Sequence, residues 1–155
     1  HAEAYRHLAM QFENRQVEKI YHAVVEGIHD FQHLLVDRNL AANNKGIAKV
    51  SKDGKPAQTV VHTLKTYFAH SLLSCSPITG RLHQIRVHFS AFKHPLLGDT
   101  MYGADPTLAS RLQIDRQWLH AMRLSFMHPT SGEEVSFESS YSSDLAAVLQ
   151  RLQSN

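Results

Sequence analysis

At 155 residues, with 43% hydrophobic and 19% charged side chains, the chain suits one globular domain with a hydrophobic core of its own. Sixteen lysines and arginines against fourteen acids leave a formal charge of +2, which excludes a polycation and permits a nucleic-acid partner without requiring one. No apolar run approaches the ~20 residues that span a bilayer, no signal-peptide pattern opens the chain, and the lone Cys75 allows no intrachain disulfide, so the expected compartment is the reducing cytoplasm.

In chain order, Tyr5, Leu8 and Phe12 recur at helical spacing and predict a helix from Ala2 to about Asn14. The chain enters this helix directly from His1, with no cap or lead-in, and the natural protein is expected to begin earlier. From Val17 to Val25 β-branched and aromatic residues predict a strand, stopped by Gly27, whose two apolar faces suit a central position. A short strand is expected at Leu34 to Val36. The polar segment that follows carries Lys45, Lys49, Lys52 and Lys55, and its Asp53-Gly54 pair predicts a hairpin between "IAKV" and "TVVHTL".

Strands from Thr59 to Lys65 and Tyr67 to Ser74 complete an antiparallel meander, with Cys75 beside them as a small core residue. Pro77 ends that run, and Thr79-Gly80 turns the chain into a helix from Leu82 to about Phe92. A short helix near Thr107 to Ile114 precedes strands Trp118 to Met127 and Glu133 to Ser139. The final helix is capped by Ser142 or Ser143, has Asp144 in its first turn, and carries Leu145, Val148, Leu149 and Leu152 on one stripe. With no repeat, low-complexity tract or linker, residues 1–155 are expected to form a single α+β domain, a mixed, mostly antiparallel sheet with a few flanking helices.

The helix after Gly80 carries the chemistry. At ~100° per residue, Leu82, Ile85, Phe89 and Phe92 fall on a stripe about 80° wide, and Arg86 lies only about 40° from Leu82. A guanidinium beside a packing face requires an anionic partner. Two readings fit: a structural salt bridge, or an arginine that orients a catalytic carboxylate or binds phosphate. Gly80 and Arg81 at the helix start form a weak candidate anion site.

His83 and His88 are about 140° apart on a helix and cannot share one ion, and no zinc, P-loop, dinucleotide or serine-hydrolase motif is present. Lys19 and Tyr21, two apart on a strand, share a face. The tyrosine is either core or, if that face lines a cleft, a stacking platform for a nucleobase.

Together, "VEKIYHAVVEG", "GKPAQTVVHTL", "PITGRLHQIRVHFSAFKHPLLGDTMYG" and "LHAMRLSFMHPTSGEEVSF" make the chain resemble the RluA-type pseudouridine synthases across nearly its whole length. The resemblance implies an enzyme that isomerises selected uridines of ribosomal or transfer RNA by detaching uracil from its ribose, turning it and rejoining it through carbon 5, without metal or organic cofactor. It implies that Tyr21 packs on the target base and that Arg86, with Arg81 as the alternative, is the basic residue paired with an essential aspartate.

Lys19, Arg81, His83 and Gln84 would lie near the RNA backbone or in the supporting shell. The family's aspartate stands in an arginine-leucine-aspartate motif upstream of the matched region. This sequence has no such motif, and Asp99 of "LLGD" reads as structural. The chain is therefore expected to be the C-terminal part of a catalytic domain, inactive by itself and monomeric. A catalytically silent RNA-binding module of the same fold is the second expectation.

Overall fold

The apolar run predicted as a central strand forms β1 (Glu18–Glu26), and its Ala23, Val24 and Val25 are fully buried. Successive side chains of a strand point to opposite faces. Val24 accordingly joins one core layer, and Ala23 and Val25 join the other.

The computed structural model describes residues 2–13 and 17–154, with the backbone alone at 12 and 13. Around β1 stand β2 (Leu34–Asp37), β3 (Leu40–Ala42), β4 (Ala48–Val50), β5 (Gln58–Thr66), β6 (His70–Pro77), β7 (Leu119–Met127) and β8 (Glu134–Glu138). The helices are α1 (Ala2–Glu13), α2 (Gln84–Ala91), α3 (Pro106–Arg111) and α4 (Ser143–Ser154). Six strands form one antiparallel sheet in the order β2-β5-β6-β1-β7-β8, and β3 pairs with β4 apart from it. The class is α+β.

One face of the sheet packs on α2 through Ile85 and Phe89, with Val61, Leu73 and Cys75 opposite. Burial drives the Cys75 thiol pKa far up, so it is an inert core group as its sequence context suggested. The other face packs on Trp118 and on Leu145, Val148 and Leu152 of α4. The Trp118 indole donates to the Leu145 carbonyl at 3.0 Å, which ties α4 to the sheet. Gly98 crosses close beside this layer with φ +83°, and a Cβ there would lie 2.1 Å from the Arg116 carbonyl oxygen, so only glycine fits.

Three local expectations are corrected. Asp53-Gly54 does not connect two strands of a hairpin. The β3–β4 hairpin turns earlier, where the Asn43 side chain accepts from the backbone N–H of Lys45 and Ile47, and Gly46 takes φ +78°. Gly54 instead lies against β3, where a Cβ would meet the Leu40 backbone at 2.5 Å.

Second, α2 begins at Gln84, because His83 takes a left-handed conformation with φ 51°; this rotates Leu82 out to solvent at 43% exposure. Third, Tyr5 of the α1 stripe is 77% exposed. This helix touches β7 through Gln11, whose side chain exchanges hydrogen bonds with the Met127 backbone. Phe12's side chain and Asn14 lie outside the described residues.

The connection from β1 to β2 carries two histidine pairs. His29 lies with its ring centroid 3.9 Å from that of His94, and His33 stacks on His62 at 4.8 Å. Burial, then the neighbouring His94, lowers the His29 pKa, and burial also lowers that of His70 and His88. The unfolded chain takes up these protons near about pH 6.5, whereas the folded chain resists them. Stability is therefore fully present above that value and lost as pH falls below it. Thermal unfolding followed from about pH 7.5 to about pH 5.5 should show a falling midpoint, and His94→Gln should flatten the dependence. A midpoint indifferent to pH in this window would refute the role of these neutral histidines.

Candidate functional site

A cavity of about 460 Å³ opens between β1, the start of α2 and the first residues of β7. Its wall includes Lys19, Tyr21, Arg81, His83, Gln84 and Arg86, so every site residue predicted from the sequence meets there. Thr79, Gln117 and Leu119 also line it, and nothing in the sequence marked them as site residues.

Lys19 and Tyr21 project from the same face of β1, as their spacing requires. Against β7 the register slips between Ile20 and Tyr21, so that Ile20 pairs with Arg123 and Tyr21 with Ala121. Such a bulge bends the strand pair and re-aims the side chains beside it. Tyr21 is half-buried, packing against the α2-side core while lining the cavity. Lys19 Nζ would be 3.2 Å from a Cβ at Gly80, and this glycine lets the ammonium lie against the turn before α2. Burial lowers the Lys19 pKa from its ordinary value.

Arg86 is the best-held group of the site. Its Nε donates to Asp99 Oδ2 at 2.9 Å and its Nη2 to Asp99 Oδ1 at 2.8 Å, a two-pronged fork. Asp99 is 1% exposed and the arginine side chain 11%. The guanidinium also lies over the Tyr102 ring, 5.1 Å from its centroid. Hydrogen bonding to Asp99 raises the arginine pKa still further. The anion that Arg86 needs is thus supplied within this chain by Asp99, thirteen residues on, which is the salt bridge of the two readings. The fork uses Nε and Nη2, leaving Nη1 as the nitrogen that Asp99 does not engage.

Gln84 is a buried hub. Its Oε1 accepts from Thr79 Oγ1 at 2.7 Å and from the Arg81 N–H at 3.1 Å, while Nε2 donates to the Gln58 carbonyl at 2.8 Å and to Thr59 Oγ1 at 2.9 Å. Both amide donors and both acceptor directions are occupied within the protein, so Gln84 shapes the turn under the ligand space. Arg81 Nε donates to the Pro56 carbonyl at 2.9 Å, which spreads its guanidinium along the cavity rim.

His83 makes a 2.7 Å hydrogen bond through Nδ1 to the Tyr102 hydroxyl. Burial, then the adjacent Arg86, lowers the His83 pKa, so the imidazole is neutral at pH 7. No three His, Cys, Asp or Glu side chains converge as a metal set among the described residues. The site is a cationic, half-open cavity with an aromatic ring, a neutral imidazole and a fixed guanidinium, suited to a planar polar ring joined to a phosphate backbone.

The chain matches the RNA pseudouridylate synthase family over residues 1–91. It is 44% identical over 151 residues to a protein of Mycobacterium bovis named as an uncharacterized RNA pseudouridine synthase, covering 96% of this chain and 49% of that protein. It is 43% identical over 155 residues to ribosomal large subunit pseudouridine synthase D of Neisseria meningitidis, covering 94% of this chain and 41% of that one. Among solved structures, human RNA pseudouridylate synthase domain containing 1 superposes with a TM-score of 0.74 at 26% identity, over 99% of this chain and 71% of that chain. The chain thus spans about half the length of the curated relatives it matches.

Removing one partner of the Arg86–Asp99 fork leaves a buried charge unpaired. Arg86→Met should lower unfolding stability by about 3 kcal/mol, measured by urea denaturation. A loss below about 0.5 kcal/mol would show that the pair behaves as a surface contact.

Proposed function

The chain belongs to the RluA-type RNA pseudouridylate synthase family, and on that premise we propose that it forms the uridine-binding part of a catalytic domain that makes pseudouridine in RNA. In this isomerisation the bond between uracil N1 and ribose C1′ breaks, the ring turns, and C5 bonds to C1′. C5 loses its proton and N1 gains one, so no oxidant or reductant is needed. The observation that carries the reading is the meeting of Tyr21, Lys19, Arg81 and the forked Arg86 around one cavity.

In this assignment Tyr21 supports the face of a target base extruded from its stack. Lys19 and Arg81 hold the flanking phosphates, and the neutral His83 and Arg86 Nη1 present donors or acceptors at the base edge. Asp99 is fully engaged by Arg86 and buried, which unsuits it as the essential carboxylate. That group belongs to a part of the protein outside this sequence, where it would meet the exposed side of Arg86. The relatives named for the large ribosomal subunit favour ribosomal RNA as substrate and the cytoplasm as the place of action.

Mapping pseudouridine in RNA from cells with and without the gene tests the proposal. At least one uridine of large-subunit ribosomal RNA should lose its modification, and identical maps would overturn the enzyme in favour of a silent RNA-binding module. Arg86→Lys in the full-length protein should lower kcat/KM by about a hundredfold, because a point charge cannot hold Asp99 and face the cavity together. Wild-type turnover in that variant would show that Arg86 is not the basic residue of the site.

A further inference from the structure

One short stretch of chain encloses the guanidinium of Arg86. Asp99 grips it in the fork and the Tyr102 ring lies against it, and between those two residues a 3-10 turn over Thr100–Tyr102 brings Met101 to the same group. Arg86 Nη2, which already donates to Asp99, also donates to Met101 Sδ at 3.8 Å. A thioether is a weak acceptor. The contact therefore ties up little of the donor capacity that Arg86 turns away from Asp99.

Met101 is also the most exposed of the four methionines, at 59% against 53% for Met10 and 43% for Met127, while Met122 is half-buried. It stands outside the wall of the uridine cavity. Exposed thioethers are open to peroxides, which convert them to sulfoxides. Cys75, the one thiol of the chain, is buried and its pKa is driven far up, so it offers peroxide no competing target here.

We propose that Met101 is an oxidation site whose sulfoxide turns the site off by capturing the side of Arg86 that faces away from Asp99. This rests on the function proposed above, in which that side of the arginine meets the essential carboxylate. The oxidant is a peroxide. The sulfur gives up two electrons and gains one oxygen atom as the O–O bond breaks. The second oxygen leaves as hydroxide and takes up the proton of the transferred hydroxyl, forming water.

The product carries a strongly polar oxygen one bond nearer the guanidinium than the sulfur it replaces. Asp99 is buried behind the fork, so this oxygen leaves the ion pair intact and takes the N–H groups on the other side. A group needed for a carboxylate in the reaction is then occupied by a neutral acceptor. The fold is untouched, and the change is reversible by methionine sulfoxide reductases.

The test treats the full-length protein with hydrogen peroxide, locates oxidation by peptide mass mapping, and follows pseudouridine formation on large-subunit ribosomal RNA. Met101 should oxidise before Met122, and kcat should fall about tenfold or more as the Met101 sulfoxide accumulates. The unfolding midpoint should stay where it was, and reductases for both sulfoxide epimers should restore turnover. Met101→Leu, compared with its own untreated activity, should resist the same peroxide. Met101→Gln, which sets an amide oxygen beside Arg86, should lower kcat without any peroxide.

Oxidation of Met122 ahead of Met101, undiminished turnover in protein fully oxidised at Met101, or an equal peroxide loss in Met101→Leu would each overturn the inference. An untreated full-length protein that forms no pseudouridine would overturn the proposed function and this inference with it, whereas an active enzyme indifferent to Met101 oxidation overturns this inference alone.

Discussion

The site depends on one buried ion pair. A guanidinium flanking the face by which α2 packs on the sheet is tolerable only with a carboxylate in two-point contact, and Asp99 provides it. Asp99 reaches Arg86 because Gly98 crosses the Arg116 carbonyl in a conformation closed to other residues. Leu96 and Leu97, both fully buried, anchor that crossing from the two core layers. Sheet packing, a glycine turn and a salt bridge thus combine to fix one side chain on a cavity wall. The pair is close to neutral as a unit, so the positive character of the cavity rests on Lys19 and Arg81.

Positioning also explains the surrounding polar network. Gln84 joins the turn before α2 to β5, Tyr102 joins His83 to β4, and His88 under the helix bonds Thr59 and the Arg38 carbonyl. Buried polar groups satisfied in this way favour one arrangement over its neighbours. Tyr21, placed by the β1–β7 bulge, therefore faces a wall of defined shape. Function, in this account, follows from rigid placement: the chemistry asked of the side chains is to hold a base, a phosphate backbone and a carboxylate in fixed relation.

Elements with strong periodicity were legible in the sequence. The apolar run of β1 and the Leu145, Val148 and Leu152 stripe of α4 occupy the places that their patterns required. Failures came where local signals competed with distant contacts. Asp53-Gly54 has hairpin chemistry, but its glycine is needed for approach to Leu40, while the true hairpin turn uses the Asn43 side chain. Leu82 fits the helical stripe, yet the left-handed His83 ends that phase before α2 begins. At the site, the motif series identified the residues that meet around the cavity. Asp99 as the partner of Arg86 was not legible, because its position depends on a nonlocal crossing that no periodicity records.

The central claim is that a target base lies against Tyr21 with Arg86 still forked on Asp99. A crystal structure of the full-length protein bound to uridine-containing RNA tests it most directly. The account predicts the extruded ring in contact with Tyr21, the Arg86–Asp99 fork intact, and Arg86 Nη1 turned toward the ligand or a second carboxylate. A base bound away from Tyr21, or an Arg86 that has left Asp99 to point into bulk solvent, would contradict it.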